Sequence, residues 1–515
     1  MRLRWAALCA AVAGLLTLLI IPATASADDR VDLWVLVIND GQPWSAAIAG
    51  RLTAEGVRHT SVNPYAADRQ RITREFLQNG DSWAKFQAVI VPSDPIPGLS
   101  AEEITELRTF ERRFGIREVA AYSWPGSELG FDGFEYIGSL DGITAQLTDT
   151  AKAQGFGYLQ GKVAFEDNDP AVSETYGYLT RTLPGFQPFL TGIKGDANGV
   201  LAGTYQHDGR EQLLFAFAYN GSQHQFQLLA HGIISWVTKG VHLGFSRNYY
   251  SVQVDGRDAE YPRWSSADNC TPGPGSVDCP NLPALPPIKA SAEDQFYSRS
   301  WVDRNRIRLD EGTAGADRHR ITVFYNVGTK QEMADEYNWI YTSRANGGSG
   351  ICEDNPATTT CIDPIDVTTG YDEYIVPRER AAQLRRVLGN DPRAHNLDGS
   401  ALAEGRIGYG PLEAVIRQYR EEFVPDLVSL DQPEIDRVRR HQADSAAAED
   451  QLVAYVQGGR LVVPKQDIPF AITVPEGSRY VGAGPVGQPF GEQYAGERSL
   501  RAISQAPLTV SLPQP

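Results

Sequence analysis

The stretch Val31-Asp-Leu-Trp-Val-Leu-Val-Ile38 sets the fold class for the first half of the chain. It is an apolar run of strand length, and Trp44, Ile48 and Leu52 then recur at helical spacing. This order predicts a buried strand followed by an amphipathic helix. The turn between them, Asn39-Asp40-Gly41, lacks the G-x-G-x-x-G pattern, so nothing in it indicates a dinucleotide site.

The same pattern continues along the chain from this stretch. Residues 86–92 and 119–122 predict two further buried strands, and Ser100 and Glu103 form a capping box that opens a helix between them. Strands that alternate with helices in this way indicate a parallel, Rossmann-like sheet. If such a sheet binds a ligand, the carboxyl ends of its strands are the expected place, near Asn39, Asp40, Ser93 and Asp94.

Between residues 131 and 226 the pattern changes to short alternating runs separated by Gly, Pro and Asp, which is typical of a β-sandwich. A helix that contains Leu229 and Trp236 then closes this region before Gly240. Aromatic residues on exposed strands can stack against sugar rings, but they equally fill hydrophobic cores. Both interpretations stay open for Tyr158, Tyr176, Tyr178, Phe186 and Phe189.

The pattern of the second half predicts a further α/β region that ends in a β-rich tail. Residues 249–254 alternate into Asp255, and a Pro/Gly-rich stretch follows through Pro287. Helices are predicted at residues 377–388, 409–423 and 433–455, and residues 458–515 predict a small β tail. The predicted fold class is therefore α/β and β multidomain. The predicted division is 1–27, 28–242, 243–456 and 457–515.

The first 27 residues have the organisation of a cleavable export signal. Arg2 and Arg4 form a positive n-region, residues 6–21 are apolar, and Ala25-Ser26-Ala27 provides the small-residue cleavage site before Asp28. No later stretch approaches the roughly 18 apolar residues that a membrane span needs. The sequence therefore predicts a secreted protein, extracellular or in the cell envelope, with no transmembrane segment in the mature chain.

Cysteines and charge restrict the function further. Removal of Cys9 leaves two like-spaced pairs, Cys270 with Cys279 and Cys352 with Cys361, and an even count in an exported chain favours two local disulfides. Zinc ligation is the rival interpretation, although C-x-x-C spacing is absent and no histidine lies close in sequence. The net charge of -17 argues against nucleic acid as a partner, since phosphates require a basic surface.

Several separate motifs resemble the galactosaminogalactan deacetylase family of secreted proteins, in the same order and over most of the mature chain. They are Ser246-Arg-Asn-Tyr-Tyr-Ser-Val-Gln-Val-Asp255, Arg263-Trp264, Asn269-Cys270-Thr-Pro-Gly273, Cys279-Pro280, Val323-Phe-Tyr-Asn-Val-Gly-Thr329, Asp335-Glu-Tyr-Asn-Trp-Ile-Tyr341, Thr358-Thr-Thr-Cys361 and Leu388-Gly-Asn-Asp-Pro-Arg-Ala-His395. The resemblance implies an N-terminal carbohydrate-binding region and a deacetylase domain with a distorted (β/α) barrel. It also implies a polymer that contains amino sugars as the partner.

In that family a divalent metal polarises the acetamide carbonyl and activates water. The resemblance implies an Asp-Asp pair after the first barrel strand, two histidines in His-x-x-x-His, and a later His-x-x-His segment. Here Asp255 matches the first Asp, but Gly256 stands in place of the second. His-x-x-x-His is missing, and the interval between Arg308 and Tyr325 is too short to contain the strands that would carry it.

His395 matches the first histidine of the late segment, while Asp398 replaces the second and Gly399 follows it. Simpler interpretations are that Asp255 is a strand-end turn residue and that His395 is a solvent-exposed loop residue. The catalytic candidates, Asp255 and His395, are therefore remnants, and no metal ligand set is predicted. The sequence favours a secreted carbohydrate-binding protein with impaired catalysis and no cofactor, with the sugar contacts unassigned. The alternative is a zinc-dependent N-deacetylase of N-acetylgalactosamine polymer with an unusual site at Asp255, Asp258, His395 and Asp398.

Overall fold

The structure is a computed structural model that describes residues 28–169, 171–482 and 484–513. The predicted export signal at residues 1–27 lies outside the described residues. Among the helices that the structure describes, none combines the length and apolar character needed to cross a membrane.

The N-terminal region forms a parallel sheet with helices, as predicted. The backbone turns at Leu33 and Trp34, so the stretch at residues 31–38 is two strands that join different sheets. The elements are β1 (Arg30–Asp32), β2 (Val35–Ile38), α1 (Pro43–Glu55), β3 (His59–Val62), α2 (Arg74–Leu77), β4 (Gln78–Asn79), β5 (Trp83–Ala84), β6 (Ala88–Val91), α3 (Ala101–Phe114) and β7 (Arg117–Ala120). Ser100 and Glu103 form the predicted capping box of α3.

Strands β3, β2, β6 and β7 lie side by side in that order, and all are parallel. Every residue of β2 and β6 is buried, because α1 and α3 pack against the sheet. The carboxyl ends of the four strands therefore form one edge of the sheet.

Residues 131–237 extend this sheet instead of forming the separate β-sandwich that the alternation favoured. Strand β14 pairs with β7 in parallel and with β13 antiparallel, so one sheet runs through both regions. An alternating pattern reports one buried face per strand and does not distinguish a sandwich from an extension of an existing sheet. The elements are β8 (Phe131–Ser139), β9 (Thr144–Leu147), α4 (Asp149–Ala151), β10 (Lys162–Ala164), β11 (Tyr176–Thr182), β12 (Gln187–Lys194), β13 (Ala197–His207), β14 (Arg210–Phe215) and α5 (His224–Val237).

The middle region is an open α/β layer without a closed barrel among its described strands. Its sheet has the order β17-β16-β19-β18, with all neighbours parallel. The chain pairs into this sheet at residues 319–320, and the motif at residues 323–329 that follows is not a strand. The elements are β15 (His242–Leu243), β16 (Val252–Asp255), α6 (Ala292–Asn305), β17 (Leu309–Glu311), β18 (His319–Arg320), α7 (Lys330–Tyr341), α8 (Ile351–Asp354), α9 (Val376–Val387), β19 (His395–Asp398), α10 (Tyr409–Glu422) and α11 (Gln432–Ala447).

The C-terminal tail is β-rich, as predicted, but its strands pair outside it. Helix α11 ends at Ala447 and not near residue 455, because Leu452 and Ala454 turn into the hydrophobic core of the tail. Strand β20 pairs with β1, and β22 pairs with β15. Strand pairing thus crosses the predicted domain boundaries, and the division into domains stays a prediction. The elements are β20 (Tyr455–Gln457), β21 (Arg460–Val463), β22 (Gln466–Pro475), β23 (Arg479–Tyr480), β24 (Glu492–Tyr494), β25 (Glu497–Ser504) and β26 (Leu508–Ser511).

Candidate functional site

Asp255 is the last residue of β16, at the carboxyl edge of the four-stranded sheet. Its carboxylate oxygens accept hydrogen bonds from the Arg318 guanidinium at 2.6 and 3.1 Å. Asn396 Nδ2, on the neighbouring strand β19, donates to Oδ2 at 2.7 Å. The backbone covers the remaining side, since a Cβ atom on Gly312 would lie 1.8 Å from Asp255 Oδ1. The carboxylate is therefore paired with a fixed positive charge of the protein, while its side chain stays 36% exposed.

Two glycines occupy the positions at which the resemblance implies polar side chains. Gly256 has a φ of 58°, and a Cβ there would lie 2.7 Å from the Tyr261 hydroxyl. A Cβ on Gly399 would lie 2.5 Å from the Gly256 carbonyl oxygen and 2.9 Å from Arg257 Cα. Backbone atoms surround Gly399, and the φ of Gly256 is one that residues with a side chain rarely adopt, so a side chain is disfavoured at both positions.

His395 does not lie beside Asp255. The strand register pairs Val252 with His395 and Asp255 with Asp398. An offset of three residues separates the two positions by about 10 Å along the strands and points their side chains to opposite faces of the sheet. The two predicted catalytic candidates are thus not brought together.

His395 is also not the exposed loop residue that its sequence context suggested, because it begins strand β19 and is buried. Neither ring nitrogen has a hydrogen-bond partner among the described residues, and the Tyr250 ring packs against it at 5.0 Å between centroids. Burial, with a smaller contribution from His319, lowers the pKa of His395 to about 3. The side chain is a neutral core residue at ordinary pH.

The other two carboxylates of the proposed unusual site are engaged or remote. Asp398 accepts a hydrogen bond from Arg320 at 2.7 Å. Asp258 is exposed beyond the strand and accepts from Gln295 Nε2 at 3.1 Å. Across the described residues, no group of three histidine, cysteine, aspartate or glutamate side chains is arranged to hold a metal ion. The residues present at this edge therefore do not fit the divalent ion that the resemblance implies.

Both cysteine pairs are at disulfide distance, with Sγ atoms 2.04 Å apart in Cys270–Cys279 and 2.09 Å apart in Cys352–Cys361. The first pair lies in the Pro/Gly-rich loop after β16. The second joins α8 to the segment that returns to α7. Each pair fixes a surface loop of the middle region.

The carboxyl edge of the N-terminal parallel sheet is a second candidate site, because polar residues follow β2 and β6 there. The Asp40 Oδ1 atom accepts from Ser45 Oγ and from the Gln42 backbone, while Asp94 is buried and accepts from Arg108 and Gln212. Asp94 is thus a structural residue, whereas Asn39, Asp40 and Ser93 are partly exposed.

Aromatic side chains continue this edge. Of the five aromatic residues singled out by the sequence, Tyr158, Tyr178, Phe186 and Phe189 are buried, and Tyr176 is exposed. The sequence reasoning missed Trp124, which is 61% exposed, follows β7 and contacts Tyr178. A tryptophan in a Ser-Trp-Pro-Gly loop directly after a buried strand was the signal that could have found it.

The chain matches no family model, and no curated protein matches it. Among solved structures it is similar to Agd3, described as a novel carbohydrate deacetylase, with a TM-score of 0.68 and 11% identity over 95% of this chain and 99% of that one. Weaker likenesses cover 41% of this chain for a putative ThuA-like protein from Parabacteroides merdae (TM-score 0.27, 12% identity, 91% of that chain) and 42% for a β-galactosidase from Rahnella sp. R3 (TM-score 0.25, 14% identity, 34% of that chain).

The match to Agd3 extends over nearly the whole length of both chains, so this chain has a deacetylase-like fold. At 11% identity the likeness concerns the fold and not the chemistry.

Proposed function

We propose that this chain is an exported carbohydrate-binding protein that has the fold of a deacetylase and does not catalyse deacetylation. The observation that carries the proposal is the state of Asp255. Its carboxylate is held by Arg318 and Asn396, and His395 is buried on the opposite face of the sheet.

Hydrolysis of an acetamide by this class of site needs a metal that holds and activates a water molecule. A metal site of that kind takes about three protein ligands and an open position. Arg318 instead supplies the positive charge at Asp255, and Gly256 supplies no ligand. Hydrogen bonds from Arg318 and Asn396 already take three of the roughly four acceptor positions of the Asp255 carboxylate, which leaves little capacity to hold and orient a catalytic water.

Binding of carbohydrate is supported by the long structural likeness to a protein described as a carbohydrate deacetylase. The sequence motifs make the ligand more specific, because they resemble a family that acts on polymer containing N-acetylgalactosamine. Export is supported by the signal-like residues 1–27 and by two cysteine pairs at disulfide distance, which favour an oxidising compartment. We infer a polysaccharide that contains amino sugars as the partner.

The test uses the chain from Asp28 onward and two readouts. We expect retention on immobilised galactosaminogalactan or on a chitosan resin, unchanged by a metal chelator. We expect no acetate release from N-acetylated oligosaccharide above the blank when zinc or cobalt is added. Failure to bind any amino-sugar polymer would refute the binding function.

The alternative, a metal-dependent deacetylase, makes the opposite forecast in the same assay. Metal-stimulated acetate release that Asp255→Ala abolishes would establish it. Elemental analysis of the purified chain adds an independent measurement, because about one tightly held zinc per chain would require a ligand set that the described side chains do not form.

A further inference from the structure

Aromatic rings form a continuous series of contacts at the carboxyl edge of the N-terminal sheet. Trp44 meets Tyr122 at 4.9 Å between ring centroids, and Tyr122 stacks beside Tyr178 at 6.2 Å. Tyr178 in turn meets Trp124 at 5.1 Å and Tyr176 at 5.8 Å. We refer to these five residues as the aromatic ridge.

The ridge begins buried and ends in solvent. Tyr178 is buried and Trp44 and Tyr122 are partly buried, whereas Trp124 is 61% exposed and Tyr176 is 46% exposed. The inner rings hold the outer ones in place, so Trp124 is supported from below by Tyr178. A large indole ring that is positioned by packing and left exposed is the arrangement that a stacking surface requires.

The place of the ridge in the fold is that of a ligand site. In open α/β sheets, ligands bind outside the carboxyl ends of the parallel strands. Trp124 follows β7, Ser93 follows β6, and Asn39 and Asp40 follow β2. The Tyr122 and Tyr178 hydroxyls lie 3.3 Å apart on the ridge itself. Exposed ring surface and polar side chains therefore share one edge.

We propose that the aromatic ridge is the subsite at which pyranose rings of the polymer bind, a proposal that rests on the carbohydrate-binding function above. A pyranose ring has an apolar C–H face, which stacks on an indole or phenol ring, and peripheral hydroxyls, which need hydrogen-bond partners. Trp124 and Tyr176 supply the stacking surface. Asn39, Asp40 and Ser93 supply the polar partners.

The charge of the chain selects among pyranose polymers. An amino sugar without its acetyl group carries an ammonium, which an exposed tryptophan face attracts and which the Asp40 carboxylate can pair with. The net charge of -17 attracts a cationic chain over a longer range. The ridge is therefore expected to prefer a partly deacetylated amino-sugar chain to a neutral glucan.

The edge is long enough for a chain of sugars. Tyr65, which is 63% exposed, follows β3, so an exposed aromatic residue stands at each end of the four parallel strands. Three strand-to-strand steps of about 4.8 Å separate those ends. Binding should consequently strengthen as the oligosaccharide lengthens, and Tyr65→Ala should reduce that dependence on length.

The experiment compares the chain from Asp28 with Trp124→Ala, Trp124→Phe and Phe296→Ala by calorimetry with chitosan oligosaccharides. Phe296 on α6 is the matched control, since it is 65% exposed and lies outside the ridge. Loss of one stacking contact should weaken binding about tenfold in Trp124→Ala. Trp124→Phe should recover part of this, and Phe296→Ala should bind as the parent does.

The outcomes separate the two proposals. If the parent chain binds and Trp124→Ala binds equally well with an unchanged melting temperature, the ridge is not the subsite and the binding function stands. If the parent chain binds neither chitosan oligosaccharides nor N-acetylated polymer, both proposals are refuted. Equal affinity for a neutral glucan would overturn the preference for amino sugars.

Discussion

Asp255 and Arg318 form an ion pair at the carboxyl edge of the four-stranded sheet. We expect Arg318→Ala to lower the free energy of unfolding by about 1 to 2 kcal/mol, since Asp255 then keeps Asn396 alone and is partly screened by solvent. Acetate release should stay at the blank level with added zinc. Chemical denaturation measures the first effect.

Arg344 is the matched control, because its partners Glu353 and Asp354 are on the surface and Arg344 is itself more than half exposed. Arg344→Ala should change the free energy of unfolding by no more than about 0.5 kcal/mol. Equal losses in the two variants would show that the Asp255 pair has no special structural role.

The buried His395 gives the molecule a sensitivity to acid. The folded pKa of about 3 lies below the ordinary value of 6.5, so the unfolded chain binds a proton over this interval and the folded chain does not. Stability is therefore complete above about pH 6.5 and falls as the pH drops toward 3, by up to about 1.4 kcal/mol per pH unit.

His395→Phe removes this titration and keeps an aromatic ring against Tyr250. Its melting temperature should fall less steeply than that of the parent between pH 7 and pH 4. His207→Ala is the control, since His207 is exposed on the surface. If the melting temperatures of the parent and of His395→Phe fall equally between pH 7 and pH 4, the folded protein does not contain a neutral, buried imidazole at position 395.

At the scale of elements, the middle region keeps its loops in place with two covalent links. Each cysteine pair encloses a loop with a sequence separation of 9. Closure of a loop this short is worth about 2 to 3 kcal/mol when the unfolded chain is the reference. The double variant Cys352→Ala/Cys361→Ala should lose this amount, and Cys270→Ala/Cys279→Ala should lose a similar amount.

The measurement is denaturation with and without a reducing agent, together with a thiol count on the unfolded, unreduced chain from Asp28. No reactive thiol should appear. Two or four thiols per chain would show that one or both pairs are not formed in the protein.

Some helix boundaries could be predicted from the local sequence pattern, and others could not. The capping box of α3 and the start of α10 at Tyr409 follow from residues within a few positions. The end of α11 at Ala447 does not, because Leu452 and Ala454 leave the helix to pack in the tail core with Val463. Helical spacing continued past Ala447, and tertiary packing ended the helix.

At the scale of the whole molecule, a buried ion triad connects three separate elements. His231 on α5 lies between Glu55 on α1, at 3.0 Å, and Glu497 on β25, at 3.2 Å. Burial by itself lowers the pKa of His231, but the two carboxylates outweigh burial and raise it to about 10. The imidazolium therefore ties the C-terminal tail to the N-terminal sheet.

His231→Gln leaves Glu497, whose side chain is only 17% exposed, without its cation, and we expect the free energy of unfolding to fall by about 3 kcal/mol at pH 7. The contribution of a raised pKa is complete below about pH 6.5 and disappears as the pH rises through 10. The difference in the free energy of unfolding between the parent and His231→Gln should consequently become smaller from pH 7 to pH 10. His207→Gln, at an exposed position, is the control. If the difference in the free energy of unfolding between the parent and His231→Gln stays constant over this range, as it should for the control, His231 is neutral when folded.

The sequence by itself determined the features that neighbouring residues control. These include the parallel strands and capped helix of the first region, the β-rich tail and the position of Asp255 at a strand end. The two cysteine pairs were also predicted, from an even count of like-spaced cysteines in a chain with an export signal. Periodicity and capping act within a few residues, so they can be interpreted without knowledge of the fold.

The tertiary structure alone decided which distant residues meet. Arg318 reaches Asp255 from 63 residues away, and strand register places His395 on the opposite face. The aromatic ridge unites Trp44 and Tyr178 only because β7 and β11 belong to one sheet. Such contacts depend on which strands pair, and pairing is set by packing over the whole chain, which no local pattern encodes.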